Sequence, residues 1–369
     1  MLPSAYQRLL VMLVLLVMIF LVAEVQIVYS ITCNALPFPK SYIAYHLDPD
    51  ERIDIDGKLN EKQWMQVGAT DRFVDIQGSD FPKPRFLTWV KMRWDDTYLY
   101  IGAYLEETDV FANQTQHDSV VFKDNDFEVF TDPDWSTHWY KEFEINAINT
   151  TWDLILNKPY MNGGFANSSF EMPALKTATY VDGPVNDPNV PNKFWSVEIA
   201  MPLKSLVTND SRAKAPPKNK DQWRINFSRV EWHVKNVNGH YEKVPGLPED
   251  NWVWSPQHAI NMHIPERWGI LQFSTEKLNS SKFIKDPNWP VYQSLIEVYN
   301  AEKKFFSIQG YFTSDITQLE LPSYVAKGQC AQIPIISVKQ SYHFNVTVQP
   351  FDLSLSTGHI QGDRLIWWS

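Results

Sequence analysis

The stretch DNDFEVFTDPD (residues 124–134), followed by YKEFEINAINTTWDL (140–154), alternates polar and apolar residues with a period of two. In the first, Phe127 and Val129 point one way while Asp126, Glu128 and Phe130 point the other. In the second, Phe143, Ile145 and Ala147 oppose Glu142, Glu144 and Asn146. A period of two is the side-chain repeat of a strand, not the 3.6 of a helix. Each segment therefore offers an apolar face to a core and a second face carrying acids. If the two strands pair, Asp124, Asp126 and Glu128 converge with Glu142 and Glu144.

Outward from this pair the same alternation recurs. In WDDTYLYIGAYLEE (94–107), Leu99, Ile101, Ala103 and Leu105 share one face, and Tyr98, Tyr100, Gly102 and Tyr104 the other. Both faces are apolar or aromatic, as expected of a central strand packed on both sides. Turn signals such as WDD, TDPD and the Pro/Asn/Gly stretch 182–192 separate the segments, and no helical period of useful length interrupts them before Ser274. The expected class is mainly β: an antiparallel β-sandwich.

Taken in order, IDGKLNEKQW (55–64), WDDTYLYIGAYLEE, DNDFEVFTDPD, YKEFEINAINTTWDL, WSVEIAMP (195–202) and ERWGILQF (266–273) resemble the family 9 carbohydrate-binding modules and their relatives in the DOMON superfamily. These are extracellular β-sandwiches that grip sugars. Members that bind sugar chain ends clamp the ring between two Trp, one just before a DSVEIF-like strand and one before the final FGNL-like strand. A Glu in the former and an Arg in an FRVN-like strand assist. Carried over, the first Trp falls at Phe122, the Glu at Glu128, the Arg at Glu144 and the second Trp at Met262 or His263, so only Glu128 is retained outright. Trp152, Trp254 and Trp268 are nearby substitutes, and Trp254, in EDNWVWSPQ, is the one selected, because Trp268 belongs to the closing strand.

The expected domain organisation is a leader at 1–30, an arm at 31–50, the sandwich at 51–274 and a small α+β appendage at 275–369. The leader reading rests on Arg8, the apolar run 9–23 and small residues near Ser30; an uncleaved anchor over 9–28 is the alternative. Either places the rest outside the cytosol. Seven N-x-[ST] sequons, at Asn113, Asn149, Asn167, Asn209, Asn226, Asn279 and Asn345, fit a secreted glycoprotein, with Asn226 expected to be buried in a strand. Cys33 and Cys330, the two cysteines, are expected to pair in an oxidising compartment. In the appendage, Tyr292, Leu295, Ile296, Tyr299 and Phe306 recur near helical spacing; after Gly310, residues 333–338, 344–348 and 364–368 read as short strands.

A net charge of −10 with no basic stripe excludes nucleic acid as the expected partner and leaves a neutral carbohydrate open. Three chemistries compete for the acidic face, against the bland alternative of solvated acids or ion pairs to Arg224 and Arg229. The first is sugar binding by Phe122, Glu128, Glu144, Asn146, Arg229, Trp254 and His263. The second is calcium at Asp124 and Asp126, although the spacing does not match an EF-hand, since Val129 stands where its turn Gly belongs. The third is glycoside hydrolysis with Asp126, Glu128 or Glu144 as acid and base. Apart from calcium no cofactor is expected: GxSxG, HExxH, GxGxxG and P-loop motifs are missing, and Met262-His263 are adjacent, which suits axial haem ligation poorly. The favoured function is a secreted, non-catalytic carbohydrate-binding protein of the kind associated with glycoside hydrolases. A hydrolase or its accessory subunit, and a cell-surface interaction module with a decayed sugar site, are the alternatives.

Overall fold

The computed structural model describes residues 12, 33–208 and 211–369. The leader or anchor expected over 1–30, all but Met12, and the sequon at Asn209 lie outside these. Among the described residues no helix is long and apolar enough to cross a membrane. The described residues form two compact units, Pro39–Ile284 with Asp363–Leu365, and those up to Phe38 with Lys285–Gly362 and Ile366–Ser369.

The larger unit is a β-sandwich made from one curled sheet. Its strands are β1 (Ser41–His46), β2 (Val74–Asp75), β3 (Thr88–Trp94), β4 (Tyr98–Glu106), β5 (Asp126–Asp132), β6 (Tyr140–Asn146), β7 (Thr151–Leu156), β8 (Ala166–Asn167), β9 (Lys176–Val181) and β10 (Phe194–Pro202). They continue with β11 (Gln222–Glu231), the hairpin β12 (Val234–Val237) and β13 (His240–Lys243), β14 (Asp250–Val253) and β15 (Gly269–Ser274). The hydrogen-bonded order is β8-β7-β6-β5-β11-β15-β1-β3-β4-β10-β9, with β14 and β2 continuing from β11, while β12 and β13 pair apart. Phe127, Val129, Phe143, Ile145 and Phe227 from one half share a buried cluster with Val90, Ile101, Ala103, Val197 and Ile199 from the other. The two halves therefore face each other across a core filled by one face of each strand.

β4 is central, between β3 and β10, and both of its faces are packed: Ile101 and Ala103 toward the core, Tyr100 against Trp64 and Ala200 outside. One departure from the expected antiparallel arrangement lies at the bend. Ser41–His46, read from sequence as part of an arm, forms β1, parallel to both β15 and β3. Its YIAY core offers one turn of alternation, too little for sequence periodicity to register. Asn226 is fully buried, as expected, and its side chain exchanges hydrogen bonds with the Ser255 backbone at 2.9 Å each.

In the smaller unit, helix Trp289–Gln309 begins with a proline in its first turn and ends at Gly310, which adopts φ 78° and donates its N–H to the Phe306 carbonyl. Val291 and Leu295 face Gly358, and Tyr299 meets Phe344 with ring centroids 6.0 Å apart. The sheet is β16 (Ile335–Lys339), β17 (His343–Val348), β18 (Gly358–Gln361) and β19 (Ile366–Trp368). The strand at β18, GHIQ, carries no alternation that sequence reading registered. The N-terminal segment belongs here too. Trp289 Nε1 donates to the Pro37 carbonyl at 2.9 Å, and Cys33 is bonded to Cys330 with Cα atoms 5.4 Å apart.

A bond closing 297 residues of chain removes much unfolded-state freedom. Cys330→Ser should lower stability by about 2–5 kcal/mol in chemical denaturation. Peptide mapping without reduction should recover one Cys33–Cys330 linked pair, and two free thiols would refute the pairing.

Candidate functional site

The acidic segments pair as β5 and β6, with Glu128 opposite Glu144, Phe130 opposite Glu142 and Asp126 opposite Asn146. On the flanks, Ser228 of β11 stands opposite Glu128 and Trp152 of β7 opposite Glu144. Directly opposed residues share a face, so Asp126, Glu128, Glu142 and Glu144 form one cluster on the side away from the sandwich core. They are not solvated: Glu128 and Glu142 are each 6% exposed, Glu144 1% and Asp126 0%. Aromatic residues bordering the row, among them Phe130, Tyr140 and Trp268, form a second buried cluster with Leu154, Val253 and Met262.

Among the described residues, none of the four carboxyls is ion-paired to Lys or Arg. Arg224, a partner weighed from sequence, donates to the Trp268 carbonyl at 2.8 Å and lies over the Trp135 ring. The other, Arg229, points to the opposite face, where it binds Glu107 at 2.9 Å and Glu231 at 2.8 Å and rests against Phe86 and Trp252. The hydrogen bonds that reach the row are few. Asp126 accepts from the Val230 N–H at 3.2 Å and Glu144 from the Phe122 N–H at 3.0 Å, while Asp126 Oδ2 and Glu142 Oε2 have no hydrogen-bond partner. Burial is the main reason that all four titrate high, and the neighbouring charge of Glu128 adds to the shift of the other three. Burial pushes Glu128 itself from 4.5 to about 7. Such a row holds protons near neutrality, and its members can then donate as well as accept hydrogen bonds.

The rim is aromatic and open. Phe122, 39% exposed, lies nearly parallel to Trp152, with centroids 6.4 Å apart and 26° between planes. The Trp232 indole anchors the Phe122 carbonyl at 2.9 Å. On another margin Tyr160, 47% exposed, meets His263 edge-on at 4.5 Å. Burial, then the charges of Glu142 and Glu144, push the Tyr160 hydroxyl up to about 12. His263 Nδ1 lies 2.9 Å from the Tyr140 hydroxyl, and burial drives its imidazole down to about 4, so it is neutral.

Of the residues singled out from sequence, Phe122, Glu128, Glu144 and Asn146 come together, and His263 lies at the margin of the same face. Asn146 is already committed: its amide donates to Gln114 and Asp124, and its oxygen accepts from the Ile148 and Thr150 N–H groups. Arg229 is excluded by the ion network just described. Trp254 is excluded by the core, 1% exposed beside Phe227 and flat against Gly269, where any Cβ would collide with its ring. Trp252 and Trp254, two residues apart, both join the sandwich core. The calcium expectation also shifts. Asp124 Oδ2 is taken by the Asn113 and Gln114 N–H groups and by Asn146, whereas Asp126, Glu128 and Glu144 each offer an oxygen within 4.8 Å of the others. Tyr160 went unrecognised in sequence, since it stands in a turn, KPYMNGG, with no periodicity to orient it. A cavity of about 420 Å³ lined by Phe73, Phe81, Arg85 and Phe86 shares no residue with this face, and Arg85 there is held by Glu231 and Asp250.

The buried row makes stability depend on pH. Because the folded chain keeps these protons above the pH at which an unfolded carboxyl releases them, folding takes up protons, and stability falls as pH rises. For Glu128 the window runs from 4.5 to about 7. Thermal melts should therefore show Tm several degrees lower at pH 8 than at pH 5, and Glu142→Gln, which mimics the protonated form, should flatten that slope. A Tm that rises over this interval would refute the protonated row.

No family model matches the chain, and no curated protein does. Among solved structures, similarity is found to a candidate carbohydrate-binding protein of Bacteroides uniformis, at 13% identity and TM-score 0.47, covering 64% of this chain and all of that one. It is also found to a family 9 carbohydrate-binding module of Caldicellulosiruptor kristjanssonii. In complex with cellotriose that module gives 15% identity, TM-score 0.42 and 67% coverage of this chain. With glucose the values are 14%, 0.41 and 66%, and in both cases all of the module is covered. At such values the likeness carries no part of the functional argument.

Proposed function

We infer that the chain is a non-catalytic carbohydrate-binding protein whose outer β5–β6–β7 face takes a neutral sugar. The observation that carries this reading is the exposed Phe122 ring, nearly parallel to a half-buried Trp152, set beside a buried row of carboxyls that carries protons. A pyranose presents apolar C–H faces and a belt of hydroxyls. The first suits an aromatic platform; the second suits groups that both donate and accept. Tyr160 supplies a second ring and a hydroxyl that stays protonated. Hydrolysis is disfavoured because the carboxyls are neighbours in one floor, whereas a glycosidase places two on either side of the scissile bond. The leader-like N-terminus, the sequons and the Cys33–Cys330 bond add a secreted, glycosylated product to the reading.

A glycan array probed with the full chain, with Phe122→Ala, Trp152→Ala and Glu142→Gln alongside, tests the site. Loss of either ring should weaken binding tenfold or more, about 1.4 kcal/mol, with no reducing ends released. A silent array from folded protein would overturn the reading, and turnover would transfer it to the hydrolase alternative. Asn113, Asn149, Asn167, Asn279 and Asn345 are all exposed. Enzymatic deglycosylation of protein made in a eukaryotic secretory pathway should therefore lower its mass. A glycan mapped to buried Asn226 would contradict the fold, and the absence of any mass change would refute the glycoprotein reading.

A further inference from the structure

On the other side of β7 from the Trp152 ring, a second cluster gathers around His117. Its Nδ1 lies 3.0 Å from both the Thr151 carbonyl oxygen and the Thr151 hydroxyl, and the carbonyl, which only accepts, favours the tautomer with the proton on Nδ1. Nε2 then turns toward acceptors alone: Glu171 Oε1 at 3.2 Å, Asp118 Oδ1 at 3.4 Å and Asp153 Oδ1 at 3.8 Å. One donor atom each from His117, Asp153 and Glu171 lies within 4.8 Å of the others. Asp153 is 1% exposed, and its Oδ1, aimed at this point, has no hydrogen-bond partner; neither has Asp118 Oδ1. The other oxygen of Asp153, Oδ2, accepts from the Met172 N–H at 2.8 Å. With the ring neutral, Nε2 is a bare lone pair among carboxylate oxygens, an arrangement that a cation at their centre would satisfy.

We propose that His117, Asp153 and Glu171, with Asp118 beside them, form a binding site for a divalent zinc-like cation. The donor set selects the metal class: imidazole favours zinc and its transition-metal neighbours, whereas calcium and magnesium prefer oxygen alone. Spacing agrees, because tetrahedral ligands about 2.0–2.1 Å from zinc lie about 3.3–3.4 Å from one another. The Nδ1–H to carbonyl bond is the usual outer support that fixes a ligating imidazole. Half of the His117 side chain and 61% of that of Glu171 are exposed, so an ion can enter from solvent. The ligands come from three separate segments. The first runs on to Phe122, the second is β7 beside Trp152, and the third follows β8. A bound ion would therefore hold the Phe122 segment to the strand that carries Trp152, and the site stands whether or not the face binds sugar.

The test is titration of the metal-free full chain with Zn²⁺, read by calorimetry and by metal content after desalting, with Ca²⁺ as control. Co²⁺ absorption serves as a reporter of nitrogen and oxygen ligation. One zinc should be retained per chain, with Tm raised by a few degrees and Ca²⁺ at the same concentration giving no such shift. His117→Ala and Glu171→Ala, both at exposed side chains, should each reduce zinc affinity tenfold or more while the metal-free melt stays close to wild type. Zinc retained undiminished in both variants would place the ion elsewhere and overturn the proposal. So would no retained zinc in a wild-type chain shown to be folded by its melt.

Discussion

The register between β5 and β6 is the constraint on which the functional face depends. By setting Glu128 opposite Glu144 and Phe130 opposite Glu142, it places carboxyls side by side on the face that the sandwich core does not use. Side chains opposed in a sheet lie about 5 Å apart, so they cannot avoid one another. A one-residue slip would turn Phe127, Val129, Phe143 and Ile145 out of the core. Burial of those four side chains therefore holds the acids together. Aromatic packing around the row then removes water, and the carboxyls answer by keeping protons.

The cations that might have neutralised this row are spent elsewhere. Arg229 is locked in a dry network with Glu107 and Glu231 on the core side, with Thr88 bonded to the same guanidinium at 3.1 Å. Removing one partner of such a buried network is costly, which ties Arg229 to stability more than to recognition. The contrast between a paired core-side network and an unpaired outer row is what makes the outer face chemically distinct. The same outer strands carry exposed rings at their margin, so apolar platform and hydrogen-bonding floor lie next to each other.

Much of this was legible in the residues. Period-two alternation located β4, β5 and β6, the motifs WSVEIAMP and ERWGILQF marked β10 and β15, and the alternation predicted that one face of the β5–β6 pair would carry acids. Helical spacing found the helix Trp289–Gln309, and Gly310 marked its end. Other features escaped for physical reasons. β1 and β18 are short and lack a contrast between their faces. In WVW, three large apolar residues in a row hide which side is core, so Trp254 looked available although its ring fills the space above Gly269. Tyr160 opens a single 3₁₀ turn and His117 stands in a loop, and neither has a repeat that predicts direction. Asp118 adjoins His117 in sequence, but Asp153 and Glu171 reach it only through segments 36 and 54 residues further along the chain.

By itself the sequence determined that strands would form, which side chains share a face within each strand, and that the chain is acidic and holds one pair of cysteines. Those are local or compositional properties, set by the pleat of a single strand and by counting. Only the tertiary structure decided which strands became neighbours, which carboxyls lost their water and which tryptophans were sealed inside. Those outcomes depend on contacts between distant segments, and burial, the quantity that shifts a carboxyl's proton affinity, does not exist until the sheet has curled and closed.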